Sequence, residues 1–191
     1  GVESVLTKAV VDEEIFWGCA GIATIMGGAT LAATPIMLAG TEEQKEKYVS
    51  RLCTGDSSGR PTLGAYALTE PSAGSDPAGM ITNARREKSK YILNGFKTFI
   101  TNAGIADVYV VFATVDPARG TDGITAFIVE KDWRGVNPGK KEKKMGIRAS
   151  HTASISFEDV EVPAENRLGA EGEGFKIAMR DLEIRGAGNL L

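Results

Sequence analysis

Tyr66-Ala-Leu-Thr-Glu-Pro-Ser-Ala-Gly-Ser-Asp76 is an extended apolar segment that breaks into a loop of small, hydroxyl-bearing and acidic residues. Pro71 ends the predicted strand, and Gly74 permits backbone angles that other residues avoid. The hydroxyls of Thr69 and Ser75, with the amides around them, can hold a phosphate or the polar edge of a planar cofactor without a net positive charge. We therefore predict a strand that ends in a binding loop.

Residues 63–168 have the pattern of short β-strands. Segments 108–115 and 124–129 are rich in β-branched and aromatic residues, and residues 153–157 alternate between apolar and polar side chains. Asn94-Gly95 predicts a tight hairpin within residues 91–96. About six to eight short strands, with glycine and proline turns and no helices between them, are typical of an antiparallel sandwich or barrel.

Helical patterns lie on both sides of the predicted strands. Thr34-Pro35 predicts the start of a short helix that Gly40 ends, because proline suits the first helical turn. Thr41 and Gln44 have the spacing of a capping box for the next helix, and residues 171–191 return to helical spacing. The predicted fold class is therefore α+β, with helices before and after the strands.

The composition is ordinary for a globular protein, with 42% apolar and 25% charged residues and a formal net charge of -3. This charge favours no nucleic-acid partner. Cys19 and Cys53 lack metal-ligand spacing, so we predict no metal site and interpret them as two reduced, buried thiols of a cytoplasmic protein. The single histidine, His151, is interpreted as a surface residue.

Residues 18–40 carry no charge over about the length of a bilayer span. The segment is rich in glycine, alanine and threonine, and Pro35 interrupts it. We therefore predict two buried helices joined by a bend, and no membrane span.

Several further blocks of sequence occur in a fixed order between about residues 10 and 179. Together with the opening stretch they resemble the acyl-CoA dehydrogenases, a family of flavoenzymes. The blocks are Gly18-Cys-Ala-Gly21, Ala39-Gly-Thr-Glu-Glu-Gln-Lys45, Asn94-Gly-Phe-Lys-Thr-Phe-Ile-Thr-Asn102, Gly123-Ile-Thr-Ala-Phe-Ile-Val-Glu130, Met145-Gly-Ile-Arg148 and Phe157-Glu-Asp-Val-Glu-Val-Pro163. The resemblance implies a partial N-terminal helical domain (1–62), an antiparallel β-barrel middle domain (63–168) and the start of a C-terminal helical domain (169–191).

The resemblance also implies FAD as the cofactor and assigns site residues by position. The implied cofactor contacts are Tyr66, Leu68, Thr69, Gly74, Ser75, Phe99, Ile100 and Thr101, and the implied substrate contacts are Ser75 and Thr121. Phe99 would form an aromatic wall beside the flavin ring, and the Thr101 hydroxyl would lie near flavin N5. From spacing alone, Tyr66 and Phe99 are core aromatics and Thr69 is a turn residue, and this alternative stays open.

The implied activity is the α,β-dehydrogenation of a short or medium acyl-CoA thioester. Electrons would pass to an electron-transfer flavoprotein, and full-length members of the family are homo-oligomers. No catalytic residue is assigned, because the family's glutamate base is expected beyond Leu191, and Glu183 lies about two residues before the position of a rarer alternative. The chain starts without methionine and stops within a helical pattern, so we expect a fragment with little or no turnover. The alternative is a non-catalytic binding module on the same barrel.

After Met179 the family resemblance fails. The segment Arg180-Asp-Leu-Glu-Ile-Arg-Gly-Ala-Gly-Asn-Leu-Leu191 resembles part of the transcription-repair coupling factor and related DNA translocases. A hybrid with a DNA-associated tail is therefore a further alternative, and the cluster Lys140-Lys141-Glu142-Lys143-Lys144 is compatible with it. The acidic net charge argues against it.

Overall fold

The computed structural model of the protein describes residues 5–189, and its first element is the long helix α1 (Val5–Ala39). The helix is interrupted at Cys19, where φ is -163° and ψ is 107°. The predicted helix start at Thr34-Pro35 is wrong, because Pro35 lies inside α1. Ala32 and Ile36 are completely buried on one face, so side-chain packing carries the helix through the proline despite the lost backbone hydrogen bond.

Only one face of α1 is buried. A Cβ atom at Gly21 would lie 2.7 Å from the Ala149 Cβ, and one at Gly28 would lie 2.0 Å from the Asn102 side-chain nitrogen. These two glycines therefore allow the loops of the sheet to approach the helix closely. The prediction of buried helices holds for this face alone, since the large apolar side chains Ile22, Met26 and Met37 are more than half exposed.

Two other features of the helical region bear on the sequence predictions. By length and composition alone, Ala9–Ala39 is the one helical segment in residues 5–189 that is long and apolar enough to cross a membrane.

Cys19 and Cys53 are exposed, so the prediction of buried thiols is wrong. Cys19 lies at the break in α1, and Cys53 lies in the last turn before Gly55, where the chain leaves the helix.

The capping box at Thr41 is confirmed. The Thr41 hydroxyl accepts a hydrogen bond from the Gln44 backbone N–H (3.2 Å), and the Gln44 side chain accepts one from the Thr41 N–H (2.9 Å). Helix α2 (Glu42–Gln44) continues through a π-helical turn (Lys45–Val49) into α3 (Ser50–Thr54). These helices precede the strands, as the sequence predicts.

Eight strands form one sheet in the order β6-β7-β3-β2-β4-β5-β8, with β1 beside β4, and helix α4 (Gly174–Asn189) follows. The strands are β1 (Gly64–Ala67), β2 (Asn83–Glu87), β3 (Lys90–Thr101), β4 (Val108–Thr114), β5 (Ile124–Glu130), β6 (Val136–Lys141), β7 (Thr152–Pro163) and β8 (Arg167–Leu168). The α+β class is confirmed.

The sheet is open, so the prediction of a closed antiparallel barrel is wrong. β1 runs parallel to β4, with Gly64 opposite Val108. β2 meets β4 at one parallel pair, Asn83 opposite Thr114, which joins the two halves of the sheet. The apolar pattern of a strand shows which face is buried, but it does not give the direction of the neighbouring strand.

The predicted hairpin at Asn94-Gly95 is also wrong. The β2–β3 turn lies at Lys88 and Ser89 instead, and Lys88 takes a φ of 53° there. Gly95 lies inside β3 at an irregularity in its pairing with β7. A Cβ atom at Gly95 would lie 2.3 Å from the Thr82 hydroxyl oxygen. The glycine is therefore required by close packing rather than by a turn.

Two apolar clusters cover the opposite faces of β4 and β5. The first joins these strands to β3 and β7, and within it the rings of Tyr91 and Phe127 lie 4.9 Å apart. The second joins them to the helices, where Phe112 shares a cluster with Ile36 of α1 and Ile177 of α4. Because both faces are covered, every residue of β4 is buried.

Candidate functional site

The loop after β1 begins with a tight turn from Glu70 to Ala73. The two residues exchange backbone hydrogen bonds of 3.1 Å in both directions, with Pro71 at the second position of the turn. Gly74 and Ser75 follow on the exposed side of the loop. Gly74 does not adopt left-handed backbone angles, and a Cβ atom there would meet nothing within 4 Å. The loop therefore faces open space at this point.

Strand β3 bulges towards this loop. Its pairing with β7 breaks between Lys97 and Ile100, and the freed Thr98 N–H donates to the Thr69 carbonyl oxygen at 3.0 Å. Phe99, the next residue, has a φ of 56° and is 66% exposed. A left-handed aromatic residue is strained, and β-bulges are often found beside functional sites, where they redirect a side chain. The bulge presents an aromatic ring to solvent beside the loop.

A completely buried ion pair lies beneath the loop. The Lys97 ammonium group lies 2.8 Å from the Glu70 carboxylate, and both side chains have no solvent exposure. Lys97 also donates to the Leu68 carbonyl oxygen at 3.0 Å. The other donors to Glu70 are the backbone N–H groups of Ile81 (2.7 Å) and Thr82 (3.0 Å). The carboxylate is thus surrounded by three donors.

Burial and mutual attraction act in opposite directions on this pair. Burial lowers the pKa of Lys97 to about 8, although the negative charge of Glu70 opposes that shift. Burial alone would raise the pKa of Glu70, but the charge of Lys97 and the Ile81 N–H outweigh it and hold the pKa below its ordinary value. The attraction between the two groups therefore favours their charged forms, against the effect of burial.

Two sequence profiles match the chain: the acyl-CoA dehydrogenase N-terminal domain at residues 1–56 and the acyl-CoA dehydrogenase middle domain at residues 65–160. The chain belongs to the acyl-CoA dehydrogenase family. It is 47% identical, over 180 residues, to a short-chain-specific acyl-CoA dehydrogenase of Clostridium acetobutylicum; the match covers 94% of this chain and 46% of that relative. The chain thus spans about half the length of the curated relatives it matches.

Solved structures are similar over most of the chain. Butyryl-CoA dehydrogenase from Megasphaera elsdenii has a TM-score of 0.89 at 47% identity, covering 98% of this chain and 47% of that one. Acyl-CoA dehydrogenase from Bacillus anthracis complexed with FAD has a TM-score of 0.86 at 41% identity, covering 100% and 33%. A chain in the structure of the electron transferring flavoprotein of Acidaminococcus fermentans has a TM-score of 0.82 at 48% identity, covering 89% and 45%.

The implied site residues of this acyl-CoA dehydrogenase chain fall into three groups. Leu68 and Ile100 are buried beneath the site, Gly74, Ser75 and Phe99 are exposed, and Tyr66, Thr69, Thr101 and Thr121 are half-buried. The structure brings Thr69 directly against the β3 bulge. Because Phe99 is exposed, it is not a core aromatic, whereas the Tyr66 ring packs 4.9 Å from Phe112. The ligand contacts of all nine residues stay predictions.

Thr121 lies in the 3-10 turn Pro117–Gly123, which contacts the turn Pro77–Gly79 that ends the Ser75 loop. The Asp76 carboxylate caps the latter turn by accepting from the Ala78 N–H at 3.1 Å. The two segments implied to contact substrate therefore lie on neighbouring loops, although they are far apart in sequence.

Glu70 and Lys97 both lie within the stretches that resemble the family, but the sequence alone assigned them no role. The sequence did carry a signal for the burial of Lys97. Lys97 lies an even number of positions after both Leu93 and Tyr91, as expected for side chains on one face of a strand. The bulges of β3 would still have disturbed that count. Glu70, the carboxylate partner of Lys97, lies 27 positions away in the sequence, and only the fold brings the two residues together.

Other predicted features lie away from this loop. His151 is half-buried, and burial together with the charge of Lys141 lowers its pKa. Glu183 is exposed on α4. Residues 190 and 191 of the tail lie outside the described residues, so the resemblance of that tail to DNA translocases stays a prediction. Within residues 5–189, no three side chains of histidine, cysteine, aspartate or glutamate form a potential metal site.

Proposed function

We propose that this chain holds the flavin in an FAD-dependent enzyme that dehydrogenates an acyl-CoA thioester between its α and β carbons. The observation that carries this proposal is the exposed, strained Phe99 on a β3 bulge that is hydrogen-bonded to Thr69. Strained residues cluster at functional sites, and an exposed aromatic ring is suited to packing against a flat ring system such as an isoalloxazine. The FAD complex of the Bacillus anthracis relative supports the same cofactor.

The donor chemistry of the site fits FAD. Phe99 would cover one side of the ring and exclude water, while the half-buried hydroxyls of Thr69 and Thr101 would meet its polar edge. The exposed Ser75 and the open space at Gly74 suit a phosphate group. FAD, when bound, supplies the hydride acceptor of the reaction. The chain itself supplies binding, orientation and exclusion of water.

We also propose a short acyl-CoA as the substrate, contacted by Ser75 and Thr121. Support comes from the neighbouring positions of their loops and from the short-chain-specific relatives. Electron transfer to an electron-transfer flavoprotein, homo-oligomerisation of the whole protein, a cytoplasmic location and the division at residues 62 and 168 are further parts of the proposal. We assign no base within residues 1–191, so we expect this chain alone to turn over poorly or not at all.

FAD titration of the 191-residue chain, followed by flavin absorbance and fluorescence, tests the proposal. We expect saturable binding and a higher thermal unfolding midpoint with FAD. Phe99→Ala removes a ring contact of about 0.5–1.5 kcal/mol and should weaken FAD binding by up to about tenfold. Phe16→Ala is the matched control, because Phe16 is also partly exposed, at 45%. The proposal fails if the chain takes up no FAD and its unfolding midpoint does not move.

A further inference from the structure

We propose that the buried Glu70–Lys97 ion pair is a positioning device that holds the Leu68–Ala73 segment in its flavin-binding geometry. This inference rests on the proposed function. Lys97 and Glu70 do not face solvent, so neither side chain can contact the ligand directly. Their contribution to binding would act through the backbone that they fix.

Consecutive residues of β3 hold consecutive carbonyl groups of the loop. The Lys97 side chain binds the Leu68 carbonyl oxygen, and the Thr98 N–H binds that of Thr69. These two contacts fix the path of the loop at the two positions before Glu70. The second contact also uses the backbone of the bulge that carries Phe99. The loop and the aromatic ring are therefore positioned from the same short stretch of strand.

Glu70 fixes the other side of the loop. Its two carboxylate oxygens accept from the N–H groups of Ile81 and Thr82, the residues that lead into β2. The segment between Glu70 and Ile81 contains the exposed Gly74 and Ser75. Both ends of this segment are thus attached to one buried carboxylate, which limits how far the loop can open.

Stability alone is a poor explanation for such a pair. A buried ion pair is often no more stabilising than apolar residues of similar volume, since the desolvation of both charges offsets their attraction. The pair does, however, impose directions that an apolar contact cannot impose. A device for orientation is therefore expected to affect binding more strongly than it affects unfolding.

The test uses the double variant Glu70→Gln/Lys97→Met of the 191-residue chain, which removes both charges and leaves no unpaired buried one. The control is Arg85→Met/Glu87→Gln, which removes the exposed Arg85–Glu87 pair (2.6 Å) on neighbouring β2. FAD affinity, the absorbance spectrum of the bound flavin, thermal unfolding and amide hydrogen exchange are measured for both variants. Glu70→Asp alone is the second variant, because it keeps a carboxylate to balance the buried Lys97 charge, while its shorter side chain cannot keep all the contacts of Glu70 to Lys97, Ile81 and Thr82.

We expect the double variant to bind FAD about tenfold more weakly, to alter the bound-flavin spectrum and to exchange the Ala73 and Thr98 amides faster. Amides in β4 and β5 should keep their protection, and the control should match the wild-type chain. Unchanged FAD affinity and unchanged exchange at Ala73 and Thr98 would overturn the inference. If the wild-type chain takes up no FAD, the proposed function fails, and exchange at these two amides alone decides whether the pair holds the loop. If the double variant does not fold, the same criteria apply to Glu70→Asp.

Discussion

The centre of the sheet and the loop beside β3 are built in opposite ways. β4 and β5 pair in unbroken register from Val108 opposite Glu130 to Thr114 opposite Ile124, and almost all of their side chains are buried. β3 instead has two breaks in its pairing with β7, contains the buried Lys97, and carries Phe99 in a left-handed conformation. One sheet therefore contains a region of regular apolar packing, at β4 and β5, and a region with a buried ion pair and a strained backbone, at β3.

The difference suggests separate roles: β4 and β5 stabilise the fold, whereas the region beside β3 serves the proposed binding of FAD. Burial of apolar surface is the main favourable term in folding, and β4 and β5 supply it on both faces. Buried charge and left-handed backbone angles cost free energy and persist only where surrounding structure enforces them. Local rules are often broken at functional sites, and the proposed flavin site lies beside β3, so substitutions in the two regions should have different effects on stability and on FAD binding.

The largest expected effect is in the sheet centre. Phe127→Ala removes a completely buried ring that packs against Tyr91, and the lost contacts plus the resulting cavity should lower the free energy of unfolding by about 3–5 kcal/mol. Urea unfolding measures this loss. FAD affinity, measured under conditions where the variant is still folded, should change little.

Phe96→Ala on β3 is the control for this prediction. Its ring is 44% exposed, so the loss should be about half of that for Phe127, in proportion to the area buried. Equal losses at the two positions would contradict the view that the centre of the sheet is the main source of stability.

Much of the sheet centre could be predicted from the sequence. β-branched and aromatic runs at residues 108–115 and 124–129 correspond to β4 (Val108–Thr114) and β5 (Ile124–Glu130), because short apolar runs that are rich in these residues favour a buried strand over a helix. The parallel pairing of β1 with β4 could not be predicted, since it depends on the path of the chain between them. Pro35 misled the helix prediction because tertiary packing outweighs a local preference.

The residue types in the sequence identified the loop, but they did not identify the buried Glu70–Lys97 ion pair that lies beneath it. Hydroxyl-bearing residues, glycine and proline are typical of turns, so they identify the part of Tyr66–Asp76 that follows β1 as a loop. The partner of a buried charge is set by tertiary structure, so neither Glu70 nor Lys97 received a role. Left-handed backbone angles of the kind that Gly74 permits are found at Phe99 instead, because the bulge follows from how β3 pairs with its neighbours.

A smaller effect is expected at the strained position. Phe99→Gly and Phe99→Ala both remove the ring and should weaken FAD binding equally. Only glycine tolerates the φ of 56° without strain, so Phe99→Gly should be more stable than Phe99→Ala by about 1 kcal/mol. Urea unfolding of the two variants measures the difference. A glycine variant that is the less stable of the two would show that the bulge relaxes once the ring is gone.

The smallest effect concerns a partly exposed charge at the edge of the sheet centre. Burial alone would raise the pKa of Glu130, but hydrogen bonds from Lys47 and Tyr48 outweigh burial and hold the pKa below its ordinary value of 4.5. This stabilisation is present above pH 4.5 and is lost as the pH falls through the lower pKa of the folded state. Because Lys47 is largely exposed, it should amount to less than about 1 kcal/mol. Urea unfolding between neutral pH and the acid range should therefore show that acid lowers the free energy of unfolding less for Glu130→Gln than for the wild-type chain. Identical pH profiles would mean that Glu130 has the same pKa in the folded and the unfolded chain.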